Sequence, residues 1–180
     1  GDDEVILDGR DNFNLFNLRL DGNLNRTHSG FLRFSLDKNN NIAPPASGIF
    51  MPSNWHVGRT KAEQAQAGLT SIVSPNLVND LRLSYSYFSN DLNAMQPGQC
   101  GRQPACVGLG SPQIQLFDAP MFRIGHQSTV PKTMRQRAFQ VVNNASYHRG
   151  GHKINVGGEW ERLNLGSVHS FFEQPQMVLW

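Results

Sequence analysis

The sequence has little charge, only two cysteines and no long apolar run, and each of these shortages excludes a class of protein. Of its 180 residues 17% are charged, whereas about 25% is usual in a soluble domain. The formal net charge of +2 is too small for the strong field of a nucleic-acid-binding protein, so we expect no nucleic-acid partner. No run of about 18 apolar residues is present, which excludes a transmembrane helix. The sequence shows no signal peptide and starts without Met, and we expect a piece of a longer protein.

The few cysteines and histidines do not form an evident metal or catalytic site. Cys100 and Cys106 lie in the stretch CGRQPAC, whereas a structural zinc site needs four ligands. We expect a disulfide between them, which would indicate the periplasm or the cell surface; two free thiols in a flexible loop are the alternative. His148 and His152 flank a Gly-Gly bend, where we expect a turn and not a metal clip. We expect no metal or other cofactor.

No pattern of a known catalytic centre stands out. The stretch GHQS, residues 125–128, places a histidine beside a serine, but the nucleophile elbow G-x-S-x-G does not occur. The aspartates of the loops do not have calcium-loop spacing. We therefore expect no enzymatic activity and name no catalytic residue.

What the sequence does contain is an alternation of apolar and polar residues in six segments. Two of them flank the Gly-Gly bend in FQVVNNASYHRGGHKINVGGEWERL, residues 139–163, and predict a β-hairpin because Gly reaches positive φ. The other four lie near residues 14–21, 31–37, 61–73 and 80–88. A period of two places alternate side chains on opposite faces of a strand. The segment 61–73 begins with the helix formers KAEQAQAG, but its neighbours are strands and we predict a strand.

The connections between these segments alternate strictly between short and long. The stretches GNLNRTHSG, SPNLVN and HRGGH are short, whereas 38–60 and 90–135 are long and rich in Asn, Gly, Pro and Gln. In an up-and-down sheet this pattern puts every short turn at one end and every long loop at the other. Outer-membrane barrels have short periplasmic turns and long extracellular loops. We therefore expect 38–60 and 90–135 to be extracellular loops.

The two faces of the predicted strands differ in polarity. Leu81, Leu83 and Tyr85 are predicted to face lipid, while their neighbours Arg82, Ser84 and Ser86 face a lumen. The full polar set is Asn17, Arg19, Arg33, Ser35, Arg82, Ser84, Gln140, Asn144, Asn155 and Glu159. Charges of both signs suit a wet or plugged lumen better than a dry core.

The fold class predicted from these patterns is all-β. We expect residues 1–180 to be part of an antiparallel up-and-down transmembrane β-barrel, about six strands of a larger one, in the bacterial outer membrane. A secreted or periplasmic β-sandwich, such as a lectin-like binding module, also alternates polar and apolar residues and stays the alternative.

Three stretches resemble one family of such barrels. SPNLVNDLRLSYSYF, residues 74–88, and the hairpin around Tyr147, Gly150, His152 and residues 154–159 are similar to the barrel of TonB-dependent outer-membrane receptors. The closest group is the Oar-like receptors, which carry a carboxypeptidase-regulatory-like domain. A third stretch, residues 14–41, fits the same barrel. Two residues depart from the pattern of that group: Tyr147 stands in place of the usual Trp and Asn155 in place of a Lys. Neither change affects the hairpin.

The resemblance implies a transport function. Such receptors take up a large nutrient of the carbohydrate, peptide or siderophore class. Their expected partners are the outer-membrane lipid, the nutrient, and a TonB-type energy-coupling protein that acts through a plug domain, which lies outside this sequence. A whole receptor has about 22 strands.

If the barrel prediction is right, ligand contact falls to the long loops. Aromatic and Arg side chains are the usual contact residues. The candidates are Trp55, His56, Arg59, Arg102, Gln103, Phe117, Phe122, Arg123 and His126. The alternative is that these loops only shield the mouth of the barrel.

Overall fold

The computed structural model describes residues 10–43, 49–50, 52–96, 99, 110–116, 122–169 and 176–179. The strands in chain order are β1 Arg10–Asn23, β2 His28–Ala43, β3 Ile49–Phe50, β4 His56–Ser74, β5 Leu77–Ala94, β6 Gln113–Leu116, β7 Phe122–Ile124, β8 Lys132–Arg149, β9 His152–His169 and β10 Gln176–Leu179. A 3₁₀ helix covers Pro52–Asn54. Within these ranges, no helix has the length and apolar character needed to cross a membrane.

Six long strands form one antiparallel sheet in the order β1-β2-β4-β5-β8-β9. Each long strand pairs with the next long strand along the chain, so the predicted up-and-down order of six strands is confirmed. The segment 61–73 lies inside β4 and is a strand, as predicted. Its pairing with β5 carries a register shift between Ile72 and Ser74.

The strands are longer than the predicted segments. They contain 14 to 19 residues each, and they include both ends of the two stretches that the sequence assigned to long loops. The connection after β2 is consequently 44–55, and the connection after β5 is 95–131. The short turns lie at the opposite end. The β4–β5 and β8–β9 turns contain two residues each, and in the second of them Gly150 has a φ of 59°. The alternation of short and long connections therefore holds.

The long connections contribute to a second, smaller sheet, which the sequence analysis did not predict. Its strand order is β10-β6-β7-β3. Strands β6 and β7 are antiparallel, whereas β10 pairs with β6, and β3 with β7, in parallel. Strand β3 belongs to the first long connection, β6 and β7 belong to the second, and β10 follows β9. Three stretches that are distant in sequence thus meet at the same end of the large sheet.

Apolar side chains are buried at the end of the small sheet and exposed on the large sheet. The buried apolar side chains of the described residues are Trp55, Val57, Ala94, Met95 and Val130, all at the long-loop end. The apolar face of the large sheet stays open: Leu20 is 60% exposed, Leu32 is 61% exposed, and Leu83, on a central strand, is 39% exposed. A sandwich would bury these side chains against a second sheet.

Candidate functional site

One face of the large sheet is a continuous apolar surface across all six strands. The cross-strand register brings Leu20, Leu32, Ala67, Leu83, Val141 and Trp160 into one row. The next row contains Phe34 and Phe139. The centres of the Phe139 and Trp160 rings are 6.0 Å apart, and the planes of the two rings form an angle of 66°. Trp160, which the sequence did not place, lies on this outward face. We call this surface the apolar belt.

The height of the apolar belt matches a membrane. On β5 its outward residues extend from Leu77, the cross-strand partner of Tyr147, to Tyr87, and Asn79 is the polar member of this series. Ten residues at about 3.4 Å each, tilted by about 40°, span roughly 26 Å. The apolar band of an outer-membrane barrel is about 25 Å tall, with aromatic residues at both margins. Tyr147 and Tyr87 occupy such marginal positions.

The opposite face carries hydrogen-bonded polar side chains. The Ser84 hydroxyl donates to Oε1 of Gln140 (3.0 Å), and Nε2 of Gln140 donates to Oε1 of Glu159 (2.6 Å). Arg19 and Asp21 form an ion pair at 2.8 Å on the same face. The cross-strand pairs place every residue of the predicted polar set on this inward face. Such a surface can hold water or a polar plug, but not a dry core.

The polar face also carries apolar residues, and Phe31 is one of them. Phe31 lies beside Gly68 across the β2–β4 pair, and a Cβ added to Gly68 would meet the Phe31 ring. The guanidinium of Arg19 lies 4.5 Å from the centre of that ring. The Phe31 ring thus packs between Gly68 and the guanidinium group of Arg19.

Hydrogen bonds connect the two long connections at the other end of the strands. Nδ2 of Asn54 donates to the carbonyl of Gly125 (3.1 Å), and the amide of Gly125 donates to Oγ of Ser53 (3.1 Å). The Ser128 amide donates to Oε1 of Gln113 (2.8 Å). Gly125 has a φ of 90°, and a Cβ there would meet the carbonyl oxygen of Pro112. Only glycine fits this position without strain.

The predicted ligand-contact residues are spread over different environments. Trp55 is only 7% exposed, which favours a packing role for its ring. His56 is half-buried at the start of β4, and burial lowers the pKa of its imidazole. Arg59 is exposed on the outward face, whereas Phe122 and Arg123 form part of β7 and are partly buried. Ligand contact by these residues stays a prediction.

Several predictions concern residues beyond the described ranges or pairs that do not meet. Cys100, Cys106, Arg102, Gln103 and Phe117 lie outside the described residues. The histidines of the β8–β9 turn are described: His148 pairs with Lys153, and His152 pairs with Arg149. The two imidazoles therefore point to opposite faces, and this pair alone cannot bind one ion.

Comparison with known proteins agrees with this geometry. No curated protein matches the chain. A family model described as an outer membrane beta barrel domain matches residues 7–177. This match and the exposed apolar belt exclude a secreted or periplasmic sandwich. The chain belongs to the outer membrane beta barrel domain family and forms part of a transmembrane β-barrel in the bacterial outer membrane.

Proposed function

We propose that this partial barrel belongs to a receptor that takes up a large nutrient, of the carbohydrate, peptide or siderophore class, with energy from a TonB-type protein. The observation that carries the proposal is the small sheet. Three separate stretches at the long-loop end fold together and are joined by hydrogen bonds such as Asn54 to Gly125. A simple pore needs only polar loops, whereas a preformed surface reduces the cost of ordering on binding.

The polar inward face supports the same proposal. Ion pairs such as Arg19–Asp21 and Arg82–Asp80 line it, and they suit contact with water or with a polar plug domain. The family resemblance points the same way. The stretch 74–88 forms the β4–β5 turn and much of β5, and residues 147–159 form the β8–β9 hairpin. Both stretches therefore occupy the kind of hairpin that they form in the receptors that they resemble.

The open sheet implies the remaining strands of the barrel. Among the residues that the structure describes, β1 and β9 each pair with one strand of the large sheet, and lipid does not tolerate an unpaired strand edge. We propose that further strands of the same polypeptide pair with both edges and that the apolar belt contacts the outer-membrane lipid. The energy-coupling protein would act through a plug domain that lies outside this sequence.

The test uses the full-length barrel protein. Purified protein would be screened for thermal stabilisation by panels of oligosaccharides, peptides and iron–siderophore complexes. Uptake of each stabilising compound would then be measured in cells with and without the TonB-type protein. The proposal expects that uptake requires both the barrel and the energy-coupling protein.

A matched pair of glycine variants connects the test to the small sheet. Gly125→Ala should weaken ligand binding, because the added methyl group meets the Pro112 carbonyl. Gly110 has a φ of 83° but open space around it, so Gly110→Ala controls for backbone strain alone. Uptake that is unaffected by loss of the energy-coupling protein would contradict the proposal and indicate passive diffusion. Equal binding by both variants would exclude the small sheet as the ligand surface.

A further inference from the structure

Beyond the apolar belt, on the long-loop side, the outward face of the large sheet becomes basic. The outward-facing residues there include the cations Lys38, Arg59, Lys61, Arg135 and Arg137 and the anions Glu63 and Asp91. Arg162 lies on the same face but within the belt, as the cross-strand partner of Phe139. The cations come from three strands, β2, β4 and β8. On β2 and β8 they follow directly on Leu36 and Phe139, and on β4 Glu63 lies between Ala65 and Lys61. We call this group the basic rim.

The excess of positive charge lies on the outward face of the strand ends, and the inward face at the same height does not share it. At the same height, the inward parity contains one Lys or Arg, which is Lys132, together with Asp11 and Asp37. The inward face is therefore slightly acidic where the outward face carries five cations against two anions. A general need for solubility at the strand ends would not separate the charge in this way.

Part of the basic rim is held in place by its own acids. Both terminal nitrogens of Arg135 bind the Asp91 carboxylate, at 2.7 and 3.0 Å. Lys61 pairs with Glu63 at 2.8 Å. By contrast, Lys38, Arg59 and Arg137 form no ion pair with any residue that the structure describes. Lys38 and Arg137 are therefore open to an external anion, whereas Arg59 is also the cross-strand partner of Asp91 and helps to lower the pKa of that carboxylate.

The margin of the apolar belt joins the basic rim through an aromatic ring. Nζ of Lys61 lies 5.9 Å from the centre of the Tyr87 ring, and Cζ of Arg137 lies 5.8 Å from it. Tyr87 is the last outward residue of the belt on β5. Aromatic rings flanked by cations are suited to the boundary between acyl chains and headgroups.

A groove in the apolar belt leads to the basic rim along β4. Its floor is formed by the small side chains of Ala65 and Ala67. Its walls are Leu32 and Phe34 on one side and Leu83 and Tyr85 on the other, and its volume is about 440 Å³. The next outward residues of β4 toward the long-loop end are Glu63, Lys61 and Arg59. The groove is therefore followed along β4 by the Glu63–Lys61 ion pair and then by Arg59.

We propose that this surface binds a phosphorylated lipid of the outer leaflet, with an acyl chain in the β4 groove and its phosphates on the basic rim. The groove is apolar and the basic rim is charged. A ligand that contacts both must therefore be amphiphilic. Phosphate suits the open cations because Arg and Lys bind phosphate oxygens through charge-assisted hydrogen bonds. This binding is separate from nutrient uptake, which we assign to the lumen and the small sheet.

The experiment measures lipid bound to the full-length barrel in detergent by native mass spectrometry. The probe is diphosphoryl lipid A, compared with lipid A from which both phosphates have been removed. The variant Lys38→Gln/Arg59→Gln/Arg137→Gln is compared with Lys132→Gln, which removes a cation at the same height on the inward face. Each cation near an anionic lipid contributes about fivefold in binding, so the triple variant should bind on the order of 100-fold more weakly. Lys132→Gln should bind like the unmodified barrel.

A second pair of variants tests the groove. Ala67→Leu fills its floor and should lower retention of lipid A, whereas Ala145→Leu adds the same volume elsewhere on the outward face and should not. Heat-modifiable migration checks that all variants are folded. Equal binding of phosphorylated and dephosphorylated lipid A by the unmodified barrel would overturn the proposal without any variant. Full displacement of lipid A by inorganic phosphate would indicate a site for the free anion and would overturn the proposed lipid occupant.

Discussion

Replacing Leu83 with Arg tests the assignment of the lipid-facing side most directly. Leu83 lies four residues from Tyr87 and six from Leu77 along β5, hence about 10 Å from one margin of the apolar belt and about 16 Å from the other at the usual rise and tilt. A cation that close to the midplane of the bilayer costs about 2–4 kcal/mol. The folding equilibrium constant should therefore fall by roughly 30- to 1,000-fold, since about 1.4 kcal/mol corresponds to a factor of ten.

The adjacent residue supplies the control. Ser84→Arg places the same cation on the inward face, where the Ser84 hydroxyl now donates to Gln140. The loss of that hydrogen bond costs about 1 kcal/mol, and Glu159, which accepts from Gln140, lies close enough to attract the new charge. Both variants of the full-length barrel would be unfolded from phospholipid vesicles by denaturant and followed by tryptophan fluorescence. Equal losses, or a larger loss for Ser84→Arg, would refute the assignment of the faces.

Three further substitutions have defined outcomes. Gly68→Ala should lower thermal stability because its methyl group meets the Phe31 ring; an unchanged melting temperature would contradict that packing. Hydrogen bonding by Arg135 holds the pKa of Asp91 below its ordinary value of 3.8, so the pair stabilises the barrel above about pH 4 and its contribution is lost as the pH falls through the folded-state pKa. Stability measured against pH should show Asp91→Asn less stable than the unmodified barrel at neutral pH and equal to it in acid; a constant difference would exclude this pair as the cause. Gly125→Ala should leave insertion of the barrel intact while it increases proteolysis of the long connections, and equal protease resistance would argue against the strain at that glycine.

The strands and their two faces could be predicted because both depend on a local period of two. Ser84 and Leu83 differ in polarity, and this difference repeats along β5 until the apolar belt ends. Beyond Tyr87 the outward residues are Ser89 and Asp91, while the inward residues include Phe88 and Leu92. The apolar residues therefore no longer lie on the outward face, and the pattern of the membrane segment ends. The backbone hydrogen bonds continue to Ala94 nevertheless. The sequence therefore predicted the part of each strand within the membrane and missed the part that extends beyond it.

The small sheet could not be predicted for a different reason. Its strands contain two to four residues, which is too short for any periodicity. Its hydrogen bonds join residues 71 and 72 positions apart, as between Asn54 and Gly125 or Ser53 and Gly125. Trp55 was therefore predicted as a ligand contact from its residue type alone, although nonlocal packing buries its ring.

The basic rim required the register as well as the alternation. Parity alone shows that Arg137 shares a face with Phe139, but not that Lys38 and Arg59 lie at a similar height on that face. Only the cross-strand pairs establish the height, because they connect residues from different parts of the chain. A net charge of +2 over 180 residues makes long-range steering of nucleic acid weak, but binding of a phosphate depends on charges within about one Debye length, roughly 8–10 Å. An almost neutral chain can therefore present a strongly basic surface at the one height where anionic headgroups meet the barrel.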